Sequence, residues 1–176
     1  MKEITLSKNR VALIDDDDFE RVSKLHWSTT TIRNKNNSYT YVINSKQINF
    51  VRKVIYLHRF ILNAPDDKWV DHIDGNTLDC RKSNLRLCST RQNNQNQRVV
   101  FGVIKYKGVH KSGTKYRARI RLSNGNRFNI GSFDTPEDAA KAYDQKAMED
   151  RGEFAIVNFD VNGNFNSSLI FKQFIP

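Results

Sequence analysis

The plainest alternation of polar and apolar positions lies in the C-terminal half of the chain. From Thr114 to Leu122, basic residues alternate with apolar ones, which predicts a half-buried strand with cations along its open side. Asn124-Gly125 predicts a tight hairpin turn, and the alternation resumes on the returning strand, where Arg127 and Asn129 should face outward. We therefore expect an antiparallel sheet with one cationic face and one apolar face.

A helix should follow this sheet and cover its apolar face. Thr135 can cap the helix, Pro136 suits its first turn, and Gly152 can end it. The apolar positions of the helix are mostly small: Ala139, Ala140, Tyr143 and Ala147. Small side chains would let this helix lie close to the sheet.

The N-terminal half has shorter alternations separated by polar turns. They predict strands over 3–7, 10–14, 27–32 and 39–44, a short helix over 18–25, and a strand that runs into a helix between 53 and 63. Four carboxylates in the run Asp15–Asp18 could bind a metal, but a turn and a helix start explain them better. The chain as a whole is predicted to be of the α+β class.

A further group of residues stands out for its chemistry. Asp71 and His72 are neighbours, and Asp74-Gly75-Asn76 beyond them predicts a turn. A short helix that begins near Thr90 would contain Asn93. A carboxylate and an amide oxygen suit a hard divalent cation, and an imidazole can take a proton from water near neutral pH. Together these residues predict a metal-assisted phosphodiesterase.

These residues resemble the HNH endonucleases of phages and introns. The resemblance covers roughly the first hundred residues, and several separate segments carry it: Val11–Asp16, Trp27, Leu57–Arg59, Val70–Asn76, Ser83–Arg86 and Gln92-Asn93. It implies a ββα-metal nuclease fold with extra short strands.

The resemblance also implies roles for the matched residues. His72 would be the general base that activates the attacking water, and Asn84 would complete the catalytic set by bracing the loop through backbone hydrogen bonds. Asp71 and Asn93 would bind one catalytic divalent cation, Mg²⁺ or Mn²⁺. An asparagine at the last position favours a hard ion bound through oxygen.

The basic half of the chain resembles a second family, the ethylene-response-factor type of plant DNA-binding domain, also called the AP-two domain. The matching segments lie within about residues 106–160: Tyr106–Val109, Lys115–Arg121, Ile130–Thr135, Ala139–Asp144 and Ala155–Phe159. By resemblance, a three-stranded sheet would enter the DNA major groove and the helix would brace its back.

Seven positions match the DNA contacts of that family, and Arg117 joins them because it shares the cationic strand face. The predicted DNA-binding set is Lys107, His110, Lys115, Arg117, Arg119, Arg121, Arg127 and Asn129. The sequence departs from the plant pattern at Gly113 and Asn129, where tryptophans usually stand. The sequence preference of the plant domain therefore cannot be transferred.

Composition and charge fit a partner that is a polyanion. The 176 residues carry a net charge of +10, and residues 98–131 contain nine bases and no acid. Two cysteines, Cys80 and Cys88, are too few for a disulfide framework and are expected to be reduced thiols. We expect no membrane partner and a cytoplasmic location, because the sequence has neither a signal-peptide core nor an apolar run of transmembrane length.

Domain limits follow from these patterns. We predict an HNH unit over 1–97, a hinge over 98–105, an AP-two-like unit over 106–160 and a tail over 161–176. The predicted function is a homing-type, sequence-recognising endonuclease that acts as a monomer on double-stranded DNA and first nicks one strand. The alternative is a transcriptional regulator whose HNH unit is inactive. Binding of structured RNA fits less well, because A-form RNA does not offer side chains a wide major groove.

Some residues have two interpretations that the sequence leaves open. His58 could approach the active site or be a buried structural histidine, and Arg59 could steady a phosphate or pair with an acid. Asp74 could be a second metal ligand, although the turn before Gly75 accounts for it. The alternating cations could also be an ordinary solvated strand face.

Overall fold

The computed structural model describes residues 1–33, 38–95, 99–101 and 104–172. The chain divides into two compact units, Met1–Thr90 and Arg91–Pro176. Both units combine small sheets with few helices, so the predicted α+β class is confirmed. None of the described helices is long and apolar enough to cross a membrane.

The first unit contains three small antiparallel sheets and short helices. Its elements are β1 (Lys2–Thr5), β2 (Val11–Ile14), α1 (Asp16–Ser23), β3 (Ser28–Arg33), β4 (Ser38–Ile48), β5 (Val51–Tyr56), α2 (Leu57–Leu62), β6 (Trp69–His72), β7 (Leu85–Cys88) and the start of α3 (Thr90–Gln95). The pairings are β1 with β2, β3 with β4 and β4 with β5, and β6 with β7. Their buried apolar side chains form one core that includes Ile14, Val22, Val42 and Leu57.

Helix α1 begins two residues earlier than predicted, and its acidic start serves structure. Asp15 occupies the N-cap position, but its carboxylate accepts a hydrogen bond from the Lys82 backbone N–H at 2.7 Å instead of capping the helix. Asp18 is buried and pairs with Arg21 at 2.6 Å and with Lys82 at 3.0 Å. The prediction that a helix starts in this acidic run is therefore confirmed, whereas Asp15 does not cap it through its side chain.

The second unit is built on the sheet β11–β10–β9. Its elements are β8 (Val99–Phe101), β9 (Val109–Ser112), β10 (Lys115–Arg121), β11 (Arg127–Phe133), α4 (Pro136–Arg151) and β12 (Ile170–Lys172). Thr135 caps α4 as predicted, since its side chain accepts a hydrogen bond from the Asp138 backbone N–H. The small residues of α4 are buried against the sheet. The prediction of a three-stranded antiparallel sheet packed on one helix is thus confirmed.

Two backbone features of this unit escaped prediction. The β10–β11 register shifts between Ala118 and Arg119, which leaves Ile130 as an extra residue, a β-bulge. The segment expected to be a hinge contributes strand β8, which pairs in parallel with β12 near the C-terminus. Leu169, just before β12, is buried beside Ile156, so part of the predicted tail packs on this unit.

Candidate active site and nucleic-acid interface

Strand β6 carries Asp71 and His72 on a two-stranded hairpin with β7. Burial alternates along β6, so that His72 is only 5% exposed while Asp71 is partly open to solvent. In the hairpin register, Asp71 lies opposite Arg86 and His72 lies opposite Leu85. The Asp71 Oδ2 atom accepts hydrogen bonds from Arg86 Nε at 3.0 Å and from Arg86 Nη2 at 2.8 Å. The carboxylate expected to hold a metal is thus already paired with a guanidinium.

Asn84 holds the loop that joins the two strands. Its side-chain Oδ1 accepts a hydrogen bond from the Asp74 backbone N–H at 3.0 Å, and its Nδ2 donates one to the Asp79 carbonyl at 2.9 Å. Its own carbonyl accepts from the Ile73 N–H at 2.8 Å. Asn84 is 7% exposed, so these bonds are shielded from water. The bracing contacts expected of Asn84 are present.

His72 lies in an aromatic and imidazole environment. The rings of His72 and His58 are 5.1 Å apart and edge-to-face, and the Tyr41 ring is 6.4 Å from His72. Cys80 Sγ lies 4.0 Å from His72 Nε2. Burial lowers the pKa of His72 below its ordinary value, against the opposite effect of nearby carboxylates. The neutral imidazole, the form that can accept a proton, is therefore favoured near neutral pH.

His58 is more strongly desolvated than His72. Burial, followed by the proximity of His72 and Arg59, lowers the pKa of His58 to about 3. Its Nδ1 atom is buried and has no hydrogen-bond partner among the described residues. The rings of Tyr41 and Tyr56 lie 5.6 and 5.5 Å from its ring. His58 is thus a buried neutral histidine whose ring lies beside that of His72.

Two other residues left open by the sequence are engaged in local structure. Arg59 donates hydrogen bonds to the carbonyls of Lys68 at 2.7 Å and Pro65 at 2.8 Å, which fixes the loop after α2. The Asp74 carboxylate accepts a hydrogen bond from the Asn76 backbone N–H at 2.7 Å, which is a turn contact. Both observations favour structural roles.

The cysteines behave as the sequence predicted. Cys80 and Cys88 are free and buried, and burial raises their pKa to about 12 and about 11 respectively. Both side chains therefore stay as neutral thiols at physiological pH.

The predicted metal ligands fit a hard cation in chemical type. Asp71 and Asn93 supply oxygen donors, although Asn93 belongs by its contacts to the second unit, in α3. Throughout the described ranges, no group of three or more His, Cys, Asp and Glu side chains is placed to hold an ion.

The cationic face of the β11–β10–β9 sheet has the alternation predicted for it. On β10, Lys115, Arg117, Arg119 and Arg121 are exposed, whereas Ala118 and Ile120 are buried beneath them.

Cross-strand pairing extends this face onto both neighbouring strands. Arg117 lies opposite His110, and Arg119 lies opposite Asn129. Arg121 lies opposite Arg127. The sheet thus gathers seven of the eight predicted DNA-binding residues on one side.

The ion pairs of this face are few and exposed. Lys115 pairs with Asp134 at 3.1 Å, with the two side chains 55% and 83% exposed. For Arg117, Arg119 and Arg127, the described part of the chain offers no carboxylate within ion-pair distance. Burial, and after it the nearby charge of Arg119, lowers the pKa of His110. This imidazole therefore adds little positive charge near neutral pH. The field of this face comes from its arginines.

Lys107 is the eighth predicted DNA contact, and the Asn158 side chain holds its backbone in place. Its N–H donates to Asn158 Oδ1 at 2.6 Å, and its carbonyl accepts from Asn158 Nδ2 at 3.2 Å. The next residue, Gly108, has φ +78°, and a Cβ there would lie 2.1 Å from the Tyr143 ring. Only glycine fits this approach of the chain to α4. The fully buried Asn158 also binds Asp144 of α4, whose pKa is raised by burial.

Sequence reasoning assigned no role to Arg86 or to Asn158. For Arg86 the sequence held no register signal, because the long loop 73–84 joins β6 to β7 and the Asp74-Gly75 turn within it does not determine which residue lies opposite Asp71. Asn158 gave no signal either, since its partners Lys107 and Asp144 are distant in sequence.

Comparison with known proteins supports both resemblances. A family model described as HNH endonuclease matches residues 63–95, which include Asp71, His72, Asn84 and Asn93. An uncharacterized HNH endonuclease, L560, of Acanthamoeba polyphaga mimivirus is 40% identical over 109 residues, which cover 58% of this chain and 56% of the relative.

Plant transcription factors also match part of the chain. The ethylene-responsive transcription factor WRI1 of Arabidopsis thaliana is 44% identical over 78 residues, or 43% of this chain and 18% of the relative. An AP2-like ethylene-responsive transcription factor, At1g16060, of the same plant is 44% identical over 64 residues, or 35% and 19%. The chain thus matches about half the length of the viral relative and under a fifth of the plant ones. It combines an HNH endonuclease-type segment with an AP2-like domain.

Proposed function

We propose that the protein is a metal-dependent, homing-type DNA endonuclease that its C-terminal sheet directs to a target sequence. The observation that carries this proposal is the buried, neutral His72 on a hairpin whose loop is braced by Asn84, within the segment matched by the HNH model. The coarser conclusion, a nuclease segment joined to a DNA-binding domain, rests on the comparisons alone.

His72 would act as the general base. Its neutral imidazole takes a proton from the attacking water, and the surrounding Tyr41, His58 and Cys80 side chains limit its motion. Asp71 and Asn93 would hold one Mg²⁺ or Mn²⁺, which when bound supplies positive charge to the phosphate oxygens. Arg86 would orient the Asp71 carboxylate, since it binds Oδ2 through two nitrogens.

The β11–β10–β9 face would bind double-stranded DNA. Arg117, Arg119 and Arg127 project from one side of a sheet that α4 supports from behind, and they are not neutralised by described carboxylates. Such a surface can enter a major groove with cations at phosphate-like spacing.

A second candidate function is a DNA-binding regulator with an inactive HNH unit. The Asp71–Arg86 ion pair favours it, because a guanidinium already neutralises the carboxylate that would attract a cation. Incubation of the full chain with supercoiled plasmid, with and without Mg²⁺ or Mn²⁺, distinguishes the two. Metal-dependent cleavage supports the endonuclease; binding without cleavage at any metal concentration supports the regulator.

The same plasmid assay tests whether one active site or two cleave each DNA molecule. The two DNA-contacting units differ, so we propose a monomer that reads an asymmetric site and first nicks one strand. Open circles should then accumulate before linear DNA, at a rate proportional to protein concentration. Linear DNA that forms without open circles, at a rate rising with the square of concentration, would contradict this proposal.

A further inference from the structure

The hairpin of β4 and β5 in the first unit has an unusual turn. Asn49 and Phe50 join the strands, both with positive φ, 48° and 63°. Two-residue turns of this kind normally carry glycine at the second position, because a side chain there is strained. Here a phenylalanine occupies it, and its side chain is 97% exposed. A strained backbone that presents a large apolar ring to solvent indicates a binding role, since neither property stabilises the unit.

The strands next to this turn carry unpaired positive charge. Lys46 of β4 lies directly opposite Lys53 of β5, and Gln47 lies opposite Arg52. Like charges that face each other across strands repel, and the described residues provide no carboxylate within ion-pair distance of either lysine. The sequence explains why: residues 21–65 contain eight bases and no acid. The repulsion would be relieved by an anionic partner at this tip.

We propose that the β4–β5 tip is a second DNA contact, in which Phe50 wedges between base pairs while Lys46, Lys53 and Arg52 bind the flanking phosphates. An apolar side chain inserted into the base stack is a known way to kink a duplex, and a flanking cation cluster is what the adjacent phosphates require. This inference rests on the proposed function, because it assumes that the chain binds double-stranded DNA. It adds that the nuclease unit itself distorts the DNA.

A second copy of this chain is the competing occupant. Strand β5 is an edge strand, and Val51 and Ile55 are 61% and 43% exposed, so two copies could pair there. Charge decides against that partner. Pairing two copies would bring together two clusters of Lys46, Arg52 and Lys53, whereas DNA neutralises them.

The test uses the full chain and duplexes that carry the fluorescent adenine analogue 2-aminopurine at successive positions within the DNA site that the wild-type protein binds. Wild-type protein should raise the fluorescence at one base step, because unstacking brightens the analogue. Phe50→Ala should abolish that rise and weaken binding about ten- to a hundredfold, the effect of losing one buried aromatic side chain. Val161→Ala, which also removes a fully exposed apolar side chain, serves as the matched control and should leave both unchanged.

The lysines are tested through salt dependence. A variant with both Lys46→Gln and Lys53→Gln should lower the slope of log affinity against log salt by about two, whereas Lys24→Gln, which removes a lysine already paired with Glu20, should not. Unchanged fluorescence and affinity in Phe50→Ala, with wild-type DNA binding intact, would overturn the inference alone. Absence of DNA binding by the wild type would overturn the proposed function and this inference together. A wild-type dimer by light scattering that Phe50→Ala dissociates would assign the tip to a second copy.

Discussion

The β6–β7 hairpin and the β11–β10–β9 sheet use charged residues in opposite ways. On the hairpin, Asp71 and Arg86 are 13% and 10% exposed and bind each other. On the sheet, arginines such as Arg117 and Arg119 stand in solvent on one strand face. The first arrangement fixes side chains in a precise geometry, and the second holds charge ready for an external partner. We expect the hairpin to determine the rate of the reaction and the sheet to determine where DNA is bound.

The largest effect expected from this contrast is on cleavage. His72→Ala should lower the cleavage rate by about 10²–10⁴-fold, the usual contribution of a positioned proton acceptor, and leave DNA affinity nearly unchanged. Arg119→Gln is the complementary variant, because it should weaken binding but retain the cleavage rate at saturating protein. Single-turnover cleavage and gel-shift titrations measure the two quantities. If His72→Ala cleaves at the wild-type rate, His72 is not the base.

The next effect concerns how the free energy of unfolding depends on pH. It compares the buried His58 with the exposed His110. The folded-state pKa of His58 is about 3, below its ordinary 6.5, so the unfolded chain takes up a proton first as pH falls. The stability from a neutral His58 is therefore complete above pH 6.5 and is lost as pH falls towards 3. The expected loss is about 1.4 kcal/mol of unfolding free energy per pH unit.

Urea unfolding at several pH values measures this loss. His58→Gln should have a shallower dependence than the wild type between pH 6 and pH 4. His110→Gln should change that dependence in the same direction, because the pKa of His110 is also lowered in the folded protein. The change should be smaller, because His110 is exposed. Equal slopes for wild type and His58→Gln would mean that His58 is not held neutral in the folded protein.

Two ion pairs offer a smaller and more direct comparison. A double-mutant cycle of Asp71→Ala and Arg86→Ala should give a coupling of about 1–3 kcal/mol in unfolding free energy, because either single change leaves a shielded charge without its partner. The same cycle for Lys115 and Asp134, which are largely exposed, should give less than about 1 kcal/mol. Equal couplings would show that burial does not distinguish these pairs.

The same contrast explains what the sequence could and could not predict. The cationic face follows from period-two alternation, a local pattern that survives in the structure from Lys115 to Arg121. The bulge at Ile130 was not predicted, although its neighbour Gly131 is an isolated glycine within a strand, a residue that often marks a bulge. The environment of His72 is non-local, because Tyr41, His58 and Cys80 come from separate elements that meet only in the folded unit. The sequence therefore indicates which residues carry the chemistry but not which partners modify them.

The smallest predicted effect concerns a single exposed cation of the sheet. If Arg119 binds a phosphate, Arg119→Gln should reduce the slope of log affinity against log salt by about one, because one fewer counterion is released. Lys141→Gln is the control, since Lys141 is an exposed cation of α4, on the helix that covers the opposite face of the sheet. Its slope should equal that of the wild type. If the slope of Arg119→Gln is unchanged and discrimination at one base pair falls instead, by about 1–3 kcal/mol, then Arg119 reads a base edge and does not bind a phosphate. Either result would show that an arginine without an ion-pair partner among the described residues of its own unit is available to bind DNA. No substitution on the β6–β7 hairpin should reproduce either change in DNA binding.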